Sequence, residues 1–209
     1  MQTWSRRKVL TTGVTAATVV SVPLVWRPAG AARRLQPTPS QSEGPFYPVR
    51  LPMDQDGDLL RNGHVTYRQE QPAWVEGVVT DLDGKPLAGA HVDIWQCDHE
   101  GHYHHPGDGG RADPAFQGFG RVQLGREGEY RFRTIRPTRY GGRTPHIHVK
   151  VWLGRDELLT TQLYVEGEVA NERDPLWRRL SADERRALTV PFASSGGEMR
   201  ARFPMAVAV

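Results

Sequence analysis

His146 and His148 flank Ile147 in the sequence Thr144-Pro145-His146-Ile147-His148. On an extended strand, residues i and i+2 project from one face, about 7 Å apart along the chain. Two neutral imidazoles so placed can converge on one ion, and they suit zinc, copper, nickel or iron. The same spacing also describes two half-exposed strand residues. The neighbours bear on the choice. Arg143 lies three residues before His146, and a permanent cation there argues against a plain apolar core. Tyr140 lies three residues before Arg143, in Arg136-Pro137-Thr138-Arg139-Tyr140-Gly141-Gly142. Its Pro and Gly predict a loop able to bring a phenol to a metal. A second tyrosine, Tyr103, sits in Gly101-His102-Tyr103-His104-His105. The chain has one cysteine, Cys97, which excludes an internal disulfide framework and a Cys-rich cluster. Any metal must be held mostly by His, Tyr, Asp or Glu.

The elements that must position these groups read as strands. From 146 to 153, His146, His148, Lys150 and Trp152 share one face, and Ile147, Val149 and Val151 share the other. Segments 74–80, 90–96, 130–135 and 158–165 also read as strands, and 199–203 as a final one. Ser181-Ala182-Asp183-Glu184 is a capping box that opens a short helix to about Leu188. With 22 Gly and 16 Pro in 209 residues and no internal repeat, the pattern predicts an all-β chain. The expected fold is a β-sandwich of short mixed or antiparallel strands, with long active-site loops and one short C-terminal helix. Segment 43–48, Glu-Gly-Pro-Phe-Tyr-Pro, could clamp the preceding arm onto the domain.

The formal net charge of +3 is misleading. Residues 1–31 hold four basic residues and no acidic one, so the remainder carries 23 basic against 24 acidic residues, or −1. A nucleic-acid function loses its main support once they are set aside. Those residues read as an address: Ser5-Arg6-Arg7-Lys8, an uncharged stretch from Thr11 to Trp26, then Ala29-Gly30-Ala31. This is a cleavable signal with adjacent arginines of the twin-arginine type. The stretch is short and rich in Thr for an anchor. The expected layout is therefore a signal over 1–31, an arm with loops over 32–73, and a catalytic sandwich over 74–209. Such a protein would be exported, periplasmic or secreted, without stable membrane insertion after cleavage.

Together these residues resemble the intradiol ring-cleavage dioxygenases. The matching pieces are Glu43-Gly44-Pro45-Phe46-Tyr47, Asp93-Ile94-Trp95-Gln96 with Tyr103 downstream, Tyr140, Arg143-Thr144-Pro145-His146-Ile147-His148, and Thr161-Gln162-Leu163-Tyr164-Val165-Glu166-Gly167. Their ordered recurrence spans roughly residues 37 to 167. The resemblance implies a non-heme Fe(III) site held by Tyr103, Tyr140, His146 and His148. It also implies an active-site arginine in Arg143 and a polar residue near the substrate in Gln162. The implied partners are a catechol and dioxygen, and the product is a cis,cis-muconate-type diacid. Tyr140 would be released by the substrate and accept a proton. Arg143 would stabilise anionic charge on the ring. The chain has only a short arm where larger members carry a helical region used in dimerisation, so a homo-oligomer is open.

Other residues have plainer readings. His99, His102, His104 and His105 crowd Tyr103 and read as a polar, solvated loop rather than a second metal site. Cys97 reads as a small buried residue. Arg178, Arg179, Arg185 and Arg186 read as a solvated helical face, and Trp152 and Trp177 as packing. Two other functions compete. A non-catalytic β-sandwich binding module would need no His-x-His with two tyrosines. A zinc-type metallohydrolase using His146 and His148 would need a carboxylate or third histidine.

Overall fold

The computed structural model describes residues 34–209, besides Met1, and residues 34–209 belong to one compact unit. The signal read over 1–31 lies outside the described residues apart from Met1. Among the described residues, twelve strands and a single α-helix follow in order. They are β1 (Arg61–Asn62), β2 (Val65–Thr66), β3 (Pro72–Asp81), β4 (His91–Trp95), β5 (Phe119–Gln123), β6 (Glu129–Ile135), β7 (His146–Leu153), β8 (Asp156–Val165), α1 (Ala182–Leu188), β9 (Thr189–Val190), β10 (Ala193–Ser195), β11 (Glu198–Arg202) and β12 (Met205–Val207).

Strand β3 organises the first sheet. It pairs antiparallel with β6 on one side, and in parallel with β11 and β12 on the other. The second sheet runs β5-β4-β7-β8-β9. The two sheets face each other across one apolar core, as expected for a sandwich. Val75, Val79, Phe132 and Ile135 come from the first sheet, and Val92, Ile94, Ile147, Val149, Val151 and Leu163 from the second. The alternation of β7 therefore does what its sequence indicated: its aliphatic face fills the core. Its polar face is buried as well, with His146 at 1% and His148 at 3% exposure. A strand can bury both faces only if something covers the second.

The cover is the N-terminal arm. Its backbone bonds Leu35 to Leu82, Thr38 to Ala206 and Gln41 to Thr160. The segment read as an arm with loops also supplies Leu59, Leu60 and Tyr67 to the main core. Phe46 joins Trp95, Cys97, Tyr103 and Phe119 in a smaller cluster at the site. The helix α1 starts at the expected capping box: Ser181 accepts from the Glu184 amide and the Glu184 carboxylate accepts from the Ser181 amide. The remaining sequence-derived strands fall within a few residues of their observed bounds. Strands β1, β2, β5, β9, β10 and β12 carried no alternation strong enough to read.

Candidate metal centre

Strand register sets the floor of the site. Trp95 on β4 pairs with His148 on β7, which pairs with Gln162 on β8. His146 pairs with Tyr164. The Trp95 and His148 rings stack with centroids 4.8 Å apart and planes 8° from parallel. The His146 and His148 rings lie 4.8 Å apart, and their Nε2 atoms face each other at 3.2 Å. His146 Nδ1 lies 2.6 Å from the Thr144 carbonyl, so that nitrogen carries the proton and Nε2 presents a lone pair.

Two loops bring the tyrosines. Tyr103 sits in the long β4–β5 connection, where its amide donates to Asp108 Oδ2 at 2.9 Å. Asp98 fastens the same loop by accepting from the Glu100, His102 and Asp113 amides. Tyr140 and Arg143 bracket a tight turn in which the Arg143 amide donates to the Tyr140 carbonyl at 2.6 Å. Gly141 and Gly142 occupy its centre at φ +50° and +82°. Both positive values mark a type I′ turn, which favours glycine at each position. The Tyr103 and Tyr140 rings meet edge-to-face at 5.2 Å, and Tyr103 lies 6.1 Å from His148.

Arg143 is fixed on two sides. Its Nε donates to Asp174 Oδ2 and its Nη2 to Gln162 Oε1, each at 2.7 Å. Asp174 also accepts from the Thr144, Leu176 and Trp177 amides and is fully buried. All six residues singled out by sequence, Tyr103, Tyr140, Arg143, His146, His148 and Gln162, thus gather in one place.

The electrostatics describe a cation site. Burial, aided by the Arg143 charge, holds His146 at a pKa of about 4. Burial, His146 and Arg143 push His148 well below its ordinary range. Both imidazoles are therefore neutral and available as ligands. Burial, with a smaller push from Cys97, drives the Tyr103 phenol far above its ordinary value. Burial and Asp108 raise Tyr140. The Tyr103 hydroxyl and His148 Nδ1 are buried with no hydrogen-bond partner. Orphaned buried polar atoms are costly. A bound cation would relieve the Tyr103 phenol by favouring its charged form. Two phenols beside two imidazoles are a donor set that fits a hard trivalent ion such as Fe(III).

Sequence reasoning missed several supporting residues. Asp174, inside Arg173-Asp174-Pro175, gave no signal beyond being acidic. Trp95 and Phe46 lie within the matching motifs with no role legible from sequence, yet Trp95 stacks on His148 and Phe46 on Tyr103, each at 4.8 Å. The histidine run is structural. His99 pairs with the Tyr67 hydroxyl at 2.6 Å and His104 with the Asp113 and Phe116 carbonyls, while His102 Nδ1 lies 3.3 Å from an Asp108 carboxylate oxygen without forming a hydrogen bond. His105 Nδ1 accepts from the Gly107 amide. Among the described residues, no three His, Cys, Asp or Glu side chains converge as a metal site. Burial raises the Cys97 thiol to about 11, as suits an inert core residue. Arg185 is less solvated than expected: it lies 4.1 Å over the Trp177 ring.

A sandwich that gathers two tyrosines and two histidines at one end of its second sheet offers a donor set able to take a metal. Comparison with known proteins makes the class specific. Residues 42–202 match the Dioxygenase family, Dioxygenase_C. The chain belongs to that family, the intradiol ring-cleavage dioxygenases. It is 31% identical over 143 residues to a hydroxyquinol 1,2-dioxygenase of Corynebacterium glutamicum, covering 60% of this chain and 45% of that protein. It is 33% identical over 184 residues to catechol 1,2-dioxygenase 1 of Acinetobacter lwoffii, covering 77% of this chain and 55% of that protein. The chain thus spans about half the length of the curated relatives it matches. Among solved structures, it resembles the dioxygenase domain of a dioxygenase–carbohydrate-binding protein fusion from Streptomyces sp. SirexAA-E. The TM-score is 0.66 at 34% identity, covering 83% of this chain and 99% of that one.

Proposed function

We propose that this chain is an Fe(III)-dependent intradiol dioxygenase. It cleaves a catechol-type ring with dioxygen between the hydroxyl-bearing carbons, giving a cis,cis-muconate-type diacid. The observation that carries the reading is the convergence of Tyr103, Tyr140, His146 and His148 beside Arg143, with the Tyr103 hydroxyl buried and unpartnered. The relatives named for catechol and hydroxyquinol support the substrate class.

These four residues would hold the metal. Fe(III), when bound, supplies a hard charge that favours both phenolates and makes a chelated catechol reactive toward dioxygen. Tyr103 is enclosed and would remain in place. Tyr140 is more exposed and sits on a loop, so its Oη would be the group able to accept a catechol proton. Arg143, pinned by Asp174 and Gln162, presents a preorganised cation where negative charge develops on the ring. Phe46, Trp95 and Phe119 keep bulk water from the floor. The zinc reading is disfavoured because the third donor nearest the histidines is a phenol rather than a carboxylate or imidazole. The binding-module reading gives no role to a buried Arg143–Asp174 pair beside two histidines.

We also propose that residues 1–31 are an export signal of the twin-arginine type. N-terminal sequencing of protein recovered outside the cytoplasm tests this, and a start upstream of residue 30 would overturn it. Among the described residues, no helix is long and apolar enough to cross a membrane.

The deciding experiment for the enzyme is the visible spectrum of the iron-loaded protein, before and after anaerobic catechol. A red-brown band that moves to longer wavelength supports the tyrosinate site and its open catechol position. A colourless protein after ferric reconstitution refutes it. Arg143→Ala should keep the band and lose turnover; unchanged turnover would remove Arg143 from the chemistry.

A further inference from the structure

Residues 42–47 belong to no strand, yet they lie against four of the six residues of the site, Tyr103, Tyr140, His148 and Gln162. The Ser42 carbonyl accepts from Gln162 Nε2 at 2.7 Å. That bond turns Gln162 Oε1 toward Arg143. Gly44, at φ +73°, lies against His148, where a Cβ would stand 3.2 Å from the ring Cε1. Phe46 stacks on Tyr103 at 4.8 Å and meets Tyr140 edge-on at 5.2 Å. The Tyr47 hydroxyl donates to Asp93 Oδ2 at 2.8 Å.

A stretch without ladder hydrogen bonds must be held by side chains. The charged anchor here is Glu43, whose carboxylate pairs with Lys150. Lys150 sits two residues beyond His148 on the same face of β7, with a side chain only 3% exposed. Its ammonium lies 4.3 Å from the Tyr47 ring centroid and 5.1 Å from that of Trp152. It has a second carboxylate, Glu157 on β8, at 3.0 Å. One carboxylate is enough to compensate one ammonium. Glu157 does so from within the sheet, so what Glu43 adds is the location of the arm.

We propose that the Glu43–Lys150 ion pair is a positioning lock for the active site. It seats residues 42–47 so that Ser42 aims Gln162 at Arg143 and Phe46 walls the two tyrosines. Glu43 and Lys150 are positioning residues, acting through their neighbours. The inference rests on the dioxygenase reading above.

Glu43→Gln is the discriminating variant, because Lys150 keeps Glu157 and no bare buried charge results. Amide hydrogen exchange over residues 43–47 and steady-state kinetics with catechol are measured on the iron-loaded full chain. The expected result is exchange about tenfold faster with iron content unchanged. The kinetic loss is about fivefold or more and falls on kcat rather than KM, since Arg143 acts after binding. Glu43→Asp should restore part of it. Lys150→Met, which keeps an apolar stem over Tyr47 and Trp152, should loosen the same amides. Wild-type exchange in Glu43→Gln overturns the lock whatever the activity. Faster exchange with kcat within about twofold of wild type overturns the positioning role. If the wild-type protein holds no iron and turns over no catechol, the functional reading falls, and the exchange data still decide the lock.

Discussion

Replacing Asp174 by asparagine keeps the side-chain volume and removes an acceptor. Oδ2 accepts from Arg143 Nε at 2.7 Å and the Thr144 amide at 2.9 Å. Oδ1 accepts from the Leu176 amide at 2.9 Å and the Trp177 amide at 3.0 Å. An asparagine presents NH2 on one side or the other, so either orientation sets two donors against a donor. Each buried donor left unsatisfied costs about 1–3 kcal/mol, or about 4 kcal/mol for the two. For a domain of this size that is a fall in Tm of roughly 8–16 °C. The kinetic effect is separate: Arg143 loses the facing carboxylate charge in either orientation and its acceptor in one of them, so turnover should fall on the order of 10–100-fold. Thermal melts of the iron-loaded protein and catechol kinetics at pH 7 read the two effects. A Tm within about 2 °C of wild type with kcat within about twofold would refute the role given to Asp174. Acid gives an independent check. Burial opposes ionisation of Asp174, but the Arg143 hydrogen bond, the Trp177 and Thr144 amides and the Arg143 charge outweigh it and hold the carboxyl below its ordinary value. Its stabilisation is therefore present above the unfolded pKa, near 3.9, and is lost as pH falls through the folded value. The stabilities of wild type and Asp174→Asn should converge below about pH 3.9.

Tyr103→Phe removes a buried hydroxyl that has no partner. The metal-free protein should be as stable or about 1 kcal/mol more stable, while the red-brown band of the reconstituted protein weakens and shifts, with Tyr140 the one phenolate left; a variant with the wild-type band would end Tyr103's candidacy as a ligand. In the metal-free protein, the low pKa of His146 means that the unfolded state takes up a proton first as pH falls. Stability is full above about pH 6.5 and should drop by roughly 3 kcal/mol toward pH 4, with His148 adding in the same direction; urea titrations at pH 7 and 5 would show a flat profile if this is wrong. Gly142→Ala forces a side chain into φ +82°, at a cost of about 1–2 kcal/mol. Because that turn joins Tyr140 to Arg143, catechol turnover should suffer more than Tm, and wild-type turnover would mean that the turn does not position the pair.

Much of the site was legible because a strand's period is two. The positions of His146 and His148, with Ile147 pointing the other way, follow from local geometry that any extended chain obeys. The capping box at Ser181 was legible for the same reason: its partners are three residues apart. What escaped was what depends on long-range closure. Asp174 reaches Arg143 across 31 residues, and Lys150 reaches Glu43 across 107. No pattern within a window of sequence announces either partner. The histidine run beside Tyr103 shows the converse. It is dense in potential ligands, yet His104 and His105 are tied to backbone groups within the loop and His99 to the Tyr67 hydroxyl, because a buried connection must satisfy its polar atoms.

The arm that covers β7 also meets the far end of the chain. The Thr38 amide donates to the Ala206 carbonyl, and the Thr38 hydroxyl accepts from the Ala206 amide, across 168 residues. Strand β12 in turn lies beside β3. During synthesis, therefore, the β7–β8 hairpin that carries both histidines can take the inner part of the arm through Thr160, Gln162 and Lys150 before Thr38 finds Ala206. Strand β12, which follows β8 in the chain, supplies that outer tie. Such high contact order makes the final closure slow relative to hairpin formation. A metal offered to the nascent protein would meet a loosely covered floor first and a fully tied arm only once β12 has been made.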